Sequence, residues 1–229
     1  MKQTLALFHT SKLFFTTERS LMTLFDEIMP DVRLINILDD SLLADCVSAG
    51  GMTPSVAQRL CDYARSAQEA GADAALSLCS SVGPAIDIAR RLVEMPILKI
   101  DDAHTEKAVK GAERIGVLAT VATTLRPTVD LIREKAEEQG RKVEIREGLA
   151  PSALEALMSG DRARHDEMLI EKAKEIAGSV DVILLAQASM TRLEGKVAHE
   201  TGLPVLSSPR PAIEYAKKVL DRLSVGAPA

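Results

Sequence analysis

Short apolar runs recur along the chain between longer stretches whose apolar residues fall three and four positions apart, the alternation expected of strand–helix units around a parallel sheet. Eight runs have strand character: residues 4–8, 32–38, 74–78, 97–100, 114–119, 142–146, 182–186 and 205–206. Between them, residues 54–70 are expected to be helical, because Val56, Leu60, Ala64 and Ala67 make one apolar stripe. Residues 124–139 repeat the pattern, with Val129, Ile132 and Ala136 inside and Asp130, Arg133, Glu134, Lys135, Glu137 and Glu138 forming a solvated face. A last helix is expected near residues 211–223.

The pattern also repeats at long range. Gly71-Ala72-Asp73-Ala74-Ala75-Leu76-Ser77-Leu78-Cys79-Ser80-Ser81 resembles Ser179-Val180-Asp181-Val182-Ile183-Leu184-Leu185-Ala186-Gln187-Ala188-Ser189, 108 positions further on. Met95-Pro96-Ile97-Leu98 and Leu203-Pro204-Val205-Leu206 keep that offset. Leu7-Phe8-His9-Thr10 and Val117-Leu118-Ala119-Thr120 are 110 apart, a difference one loop absorbs. The 229 residues therefore read as two copies of one α/β unit rather than one large domain.

Ligands of parallel sheets bind at the carboxyl ends of the strands, so two such units facing each other would enclose a cleft. The residues expected at those ends are His9, Thr10, Ser11, Asp39, Asp40, Cys79, Ser80 and Ser81 in the first half. In the second they are Thr120, Thr123, Thr124, Gln187, Ala188 and Ser189.

Composition narrows the functions. There are 28 Lys and Arg against 33 Asp and Glu, a net charge of −5, without long runs of one sign, which argues against nucleic acid or an anionic membrane surface as partner. Aromatic residues are 3% of the chain with no Trp, too few for base-stacking platforms. No apolar stretch approaches the roughly 20 residues that span a bilayer, and the first residues do not read as a signal peptide. Three cysteines, an odd number, suggest reduced thiols and a cytoplasmic location.

Cys79 is the strongest candidate for chemistry. It ends a strand ahead of Ser80-Ser81-Val82-Gly83-Pro84, where Pro84 suits the first turn of a helix, and a helix N-terminus lowers a thiol's pKa. The alternative is a small buried hydrophobe. Cys46 and Cys61 lack that setting and read as structural. His104, His165 and His199 have no partners at metal-ligand spacing and read as surface residues beside charges, so no metal is expected. Gly50-Gly51 and Gly83 form no phosphate loop. Asp39-Asp40-Ser41 could face the ligand, or Asp40 or Ser41 could cap a helix. Nothing marks a lysine for pyridoxal phosphate.

The paired halves, Leu78-Cys79-Ser80-Ser81, the Thr-rich turn after the first strand of the second half, and Ile183-Leu184-Leu185-Ala186-Gln187-Ala188-Ser189-Met190 together resemble the aspartate/glutamate/hydantoin racemase superfamily. That superfamily also includes arylmalonate decarboxylases and maleate isomerases. The resemblance implies an α/β fold of two pseudo-symmetric lobes, each a short, mostly parallel sheet flanked by helices, with the active site in the cleft between them. The first lobe would comprise residues 1–102 with 207–229, the C-terminal helix packing back on it, and the second residues 103–206. It further implies a homo-oligomer, a small carboxylate substrate, no cofactor, and carboxylate-holding roles for Ser80, Ser81, Thr120, Thr123 and Thr124. His9, Thr10, Ser11 and Ser189 join them as candidate substrate-binding residues from their positions.

Racemases of the superfamily use two cysteines, one per half, to remove and return the α-proton on opposite faces. Cys79 matches the first. The second falls on Gln187, whose amide neither gains nor loses a proton near neutral pH. Three readings stay open: racemisation or epimerisation with His9 or a Gln187-held water serving the second face; a one-face reaction in which Cys79 protonates or deprotonates an enediolate made by decarboxylation or isomerisation; or binding of a small carboxylate without chemistry. In the single-thiol decarboxylases the cysteine lies in the second half, so that likeness is one of principle and not of position.

Overall fold

A computed structural model describes residues 2–12 and 20–226. The chain divides into two compact units, Met1–Ile100 with Pro209–Ala229, and Asp101–Ser208.

In the first unit, β1 (Thr4–His9), β2 (Arg33–Leu38), β3 (Ala74–Ser77) and β4 (Ile97–Lys99) form a parallel sheet in the order β2-β1-β3-β4. All six residues of β1 are buried, as a strand covered on both faces requires, whereas the edge strand β2 is half exposed. Ala6, Phe8 and Ala75 pack on α3 (Pro54–Glu69) and α4 (Gly83–Ala89) through Leu60, Ala64 and Ile86. The other face of the sheet meets α10 (Pro209–Ser224), which packs on β3, β4 and α1 (Ser20–Ile28). The helix α2 (Leu42–Ala49) lies against the turn after β3. The start of α3 is set locally: Pro54 sits in the first turn, and the Thr53 hydroxyl accepts from the Val56 N–H at 3.2 Å.

The second unit repeats the plan. Its strands β5 (Arg114–Ala119), β6 (Glu144–Leu149), β7 (Val182–Leu185) and β8 (Val205–Leu206) are parallel in the order β6-β5-β7-β8. Ile115, Val117 and Ala119 point to α5 (Asp102–Gly111) and α6 (Ala122–Glu138), while Leu118, Ile183 and Leu185 point to the side of α7 (Pro151–Met158), α8 (Arg162–Ala177) and α9 (Glu194–Thr201). That alternation is the two-residue period of a strand.

The fold is thus the α/β arrangement of two parallel sheets flanked by helices that the pattern of apolar runs predicts. Val56, Leu60, Ala64 and Ala67 of α3, and Val129, Ile132 and Ala136 of α6, are buried as their spacing requires. One strand differs clearly: β6 begins at Glu144 and ends at Leu149, not at 142–146, because it pairs with β5 over its whole length, from Arg114↔Glu144 to Ala119↔Leu149. Four of its six residues are polar or Gly, so pairing sets its bounds and not hydrophobicity.

Candidate active site

In the first unit the parallel register brings the carboxyl ends of β1, β2 and β3 to one edge, and with them His9, Thr10 and Ser11, Asp39 and Asp40, and Cys79, Ser80 and Ser81. Cys79 has extended backbone angles (φ −145°, ψ 121°) and caps a 3-10 turn, Ser80–Val82, that leads into α4. Three residues separate the thiol from a seven-residue helix, so the dipole it feels is weaker than a helix starting beside it would supply. Its exposure sets it apart. Cys46 and Cys61 are buried, whereas Cys79 is half-buried. Burial, the nearby Cys79 and Asp45 push the Cys46 thiol up to about 11, and burial also raises Cys61. Neither supplies a thiolate near neutral pH.

A buried ion pair lies under the turn that carries Cys79. Lys99, 6% exposed on β4, reaches both carboxylate oxygens of Asp87 at 3.0 Å. Arg90 adds a bond to Asp87 Oδ1 at 3.0 Å and donates from Nε to the Ile97 carbonyl at 2.7 Å. The Lys99 stem lies 3.5 Å from where a Cβ on Gly83 would stand, so the start of α4 rests on it. Sequence reasoning missed this cluster. The signal was a lysine inside the apolar strand Ile97-Leu98-Lys99-Ile100 and an aspartate within the apolar helix that follows Cys79.

His9 is buried, and its Nε2 lies 2.9 Å from Asn36 Oδ1. An amide oxygen only accepts, so Nε2 carries the proton. Burial lowers the His9 pKa against the raising effect of that bond, leaving a neutral imidazole at physiological pH. Asp39 is committed elsewhere: it accepts from Tyr63 Oη at 2.8 Å, Arg59 at 2.9 Å and the Ser41 hydroxyl at 2.6 Å. Burial raises the Asp39 carboxyl, but the bonds from Ser41 and Tyr63 and the Arg59 charge hold it below the usual range. Asp40 pairs with Lys12 at 2.5 Å at the surface. Ser41 stands at the N-cap of α2 without capping it, since its hydroxyl is turned to Asp39. Thr10, Ser80 and Ser81 are buried, and Ser11 is partly exposed.

In the second unit β5 and β7 are neighbours, which brings the Thr120–Thr124 turn beside Gln187, Ala188 and Ser189. Gln187 repeats the backbone of Cys79 (φ −124°, ψ 130°) and caps its own 3-10 turn, Ala188–Leu193. Its side chain turns to the neighbouring strand end: Oε1 accepts from the Thr120 backbone N–H at 2.7 Å and from the Thr120 hydroxyl at 3.0 Å. Thr123 and Thr124 lie buried in the first turn of α6, whose N-cap, Val121, offers no side-chain bond. The Thr123 hydroxyl finds no partner among the described residues. Ser189 is partly exposed.

Two histidines expected at the surface are buried. His104 is 0% exposed, its Nδ1 3.0 Å from the Asp101 carbonyl, because the start of α5 packs against β7. Burial lowers its pKa to about 4. His165, on the inner side of α8, lies 2.7 Å from Asp166, which also binds Arg192 of the Ala188–Leu193 turn. Burial raises the Asp166 carboxyl, and the bonds from Arg192 and His165 more than offset it. Charged neighbours in sequence misled the reading, since a helix places adjacent residues on different sides. His199 is exposed. Among the described residues no group of three or more His, Cys, Asp or Glu could hold a metal ion, and no helix is long and apolar enough to cross a membrane.

Comparison with known proteins follows from this geometry. The model of the Asp/Glu/hydantoin racemase family matches residues 16–216. A hydantoin racemase from Rhizobium meliloti is 26% identical over 159 residues, a match that spans 68% of this chain and 64% of that protein's length. A glutamate racemase from Bacillus anthracis superposes with a TM-score of 0.76 at 12% identity, covering 99% of this chain and 85% of that one. An allantoin racemase from Klebsiella pneumoniae does so with a TM-score of 0.68 at 17% identity, covering 98% and 89%. At such identities the two structures speak for the fold.

Proposed function

The chain belongs to the Asp/Glu/hydantoin racemase family, and from that premise we propose that it is a cofactor-independent isomerase-type enzyme that moves a proton at the α-carbon of a small carboxylic acid, amino acid or related cyclic imide. One observation carries the reading: of three thiols, Cys79 alone is partly open, and it stands at the carboxyl end of β3 with extended backbone between two serines and the apolar core. As thiolate, Cys79 removes the α-proton, and as thiol it returns it. The product of removal is an enediolate, which a mild base reaches only when fixed donors meet the developing charge. Thr10, Ser80 and Ser81 in the first unit, and Thr123 with the uncapped N–H groups of α6 in the second, are donors of that kind. His9 is neutral and spends its Nε2 proton on Asn36.

Gln187 favours a second reading, a one-face reaction such as decarboxylation of a malonate, in which Cys79 alone protonates the enediolate. One experiment separates these. The protein is incubated in heavy water with aspartate and glutamate enantiomers, a 5-monosubstituted hydantoin and an arylmalonate, then followed by proton NMR and chiral chromatography. Deuterium at the α-carbon of recovered substrate is expected, with inversion for a racemase. Carbon dioxide release from the malonate selects the second reading. Neither signal, with carboxylates still raising the melting temperature, overturns both in favour of a binding protein.

A further inference from the structure

Gln187 can be read further than its position, because its amide is oriented by an unambiguous partner. A backbone N–H only donates, so the Gln187 atom 2.7 Å from Thr120 N is the oxygen, and the Thr120 hydroxyl at 3.0 Å gives Oε1 a second bond. The acceptor end of the amide is thus filled by the protein. The donor end is not: among the described residues Nε2 has no hydrogen-bond acceptor, and the residue is partly exposed. Gln187 does not cap its own 3-10 turn either, so the side chain is held by β5 and not by its own segment. The Thr123 hydroxyl, in the turn that Thr120 begins, is likewise unpartnered and buried.

We propose that Gln187 is a fixed hydrogen-bond donor whose Nε2 takes an anionic or carbonyl oxygen of the substrate at the position where the internal repeat would otherwise put a second proton-handling group. The inference rests on the α-carbon chemistry assigned above and deepens it: the second unit supplies charge stabilisation, and the proton traffic belongs to Cys79. Substrates are therefore molecules with an oxygen to give this amide, a carboxylate or an imide carbonyl. Thr120 acts as a positioning residue, since its N–H and hydroxyl decide which end of the amide is free.

Gln187→Glu tests this with little change in shape. It keeps an oxygen for Thr120 and replaces the donor by an acceptor, so the unfolding midpoint should stay close to that of the parent protein. With the substrate found in the heavy-water panel, kcat/KM should fall about a hundredfold at neutral pH, the usual cost of one lost oxyanion donor. It should recover as pH drops and the new carboxyl, once protonated, donates in place of the amide. Gln187→Met removes both ends and should lose activity without that recovery. If Gln187→Glu keeps kcat/KM within threefold, Gln187 is no donor and the α-carbon reading stands. Lost activity with a lowered unfolding midpoint and no acid recovery makes the residue a structural tie and also overturns the proposal. If the parent protein exchanges and decarboxylates nothing in the panel, the broader reading fails and this inference falls with it.

Discussion

The ends of β3 and β7 are built alike and equipped differently. Each strand has four buried residues, each is followed by a residue with extended backbone, and each runs into a 3-10 turn and a helix. At the first end stands a half-buried thiol over an apolar bed that includes Cys46, Val82 and Ile86. At the second stands an amide tied to the next strand end. The supports differ as well. The turn after Cys79 rests on the Lys99–Asp87–Arg90 cluster within its own β-α-β segment, whereas the turn after Gln187 is tied by Arg192 to Asp166 of α8. Backbone geometry was kept in both copies while side-chain chemistry diverged, so duplication of the scaffold does not imply duplication of the catalyst.

The comparison breaks most plainly at Cys79. Cys79→Ala should lower kcat at least about a thousandfold, in the range expected for removing a general acid–base group, and leave the melting temperature near that of the parent protein. Near-parental turnover would show that the two strand ends do not divide the work as described. Gln187→Cys asks the converse question. If a second thiol is all that the second unit lacks, the variant should invert a single enantiomer in heavy water faster than the parent protein does, with deuterium in both product enantiomers. Loss of all activity would show instead that the amide contributes something a thiol cannot.

The next effect concerns acid stability, where the second unit carries the larger liability. His104 is fully buried and burial lowers its pKa to about 4 from 6.5. Below pH 6.5 the unfolded chain therefore takes up a proton that the folded chain refuses until pH nears 4, and stability falls across that window. The loss is ~3 kcal/mol at most. Urea unfolding at pH 7, 5.5 and 4.5 measures it. His104→Asn, which keeps a donor for the Asp101 carbonyl, should flatten the decline. An unchanged slope would place the proton uptake on another group, His9 in the first unit being the one whose pKa burial also lowers.

Much of the fold was legible because burial leaves a periodic trace. The 108-residue offset placed Gln187 opposite Cys79 in the repeat, and the two residues do share their backbone setting. What the sequence hid were contacts between distant segments. Nothing in the spacing of Thr120 and Gln187 says that one fixes the amide of the other. Asp39 looked free for ligand and is instead held by Tyr63 and Arg59, a helix away. Lys99 and Asp87 looked like surface charges, and His104 and His165 were judged by their neighbours in sequence when their side of the helix decided the outcome. Periodicity reports which face is buried; it does not report which polar groups meet there.

The smallest predicted effect tests how alike the two central strands are. Gly116 of β5 corresponds in the repeat to Ala6 of β1, and both are flanked by the equivalent strands, Ile183 of β7 and Ala75 of β3 standing opposite. The glycine is not there for backbone reasons, since its φ is not positive. It is there for space: a Cβ would lie 3.0 Å from Ile176 Cδ1 and 3.3 Å from Val180 Cγ2. Gly116→Ala therefore sets two effects against each other. Overpacking costs about 1–3 kcal/mol, and removing a glycine from the unfolded chain returns about 0.4–1 kcal/mol. The colliding atom is the free end of a side chain, which places the cost at the low end, so the net should be about 1 kcal/mol of destabilisation, a melting temperature lower by about 2–4 °C. Ile176→Val deletes that Cδ1. If crowding is the reason for Gly116, the double variant should be more stable than the two single losses added together allow, because the methyl gained at residue 116 fills the space left at 176. Additive losses would mean that α8 can shift away from β5 freely, and that the difference between Gly116 and Ala6 records no difference in packing.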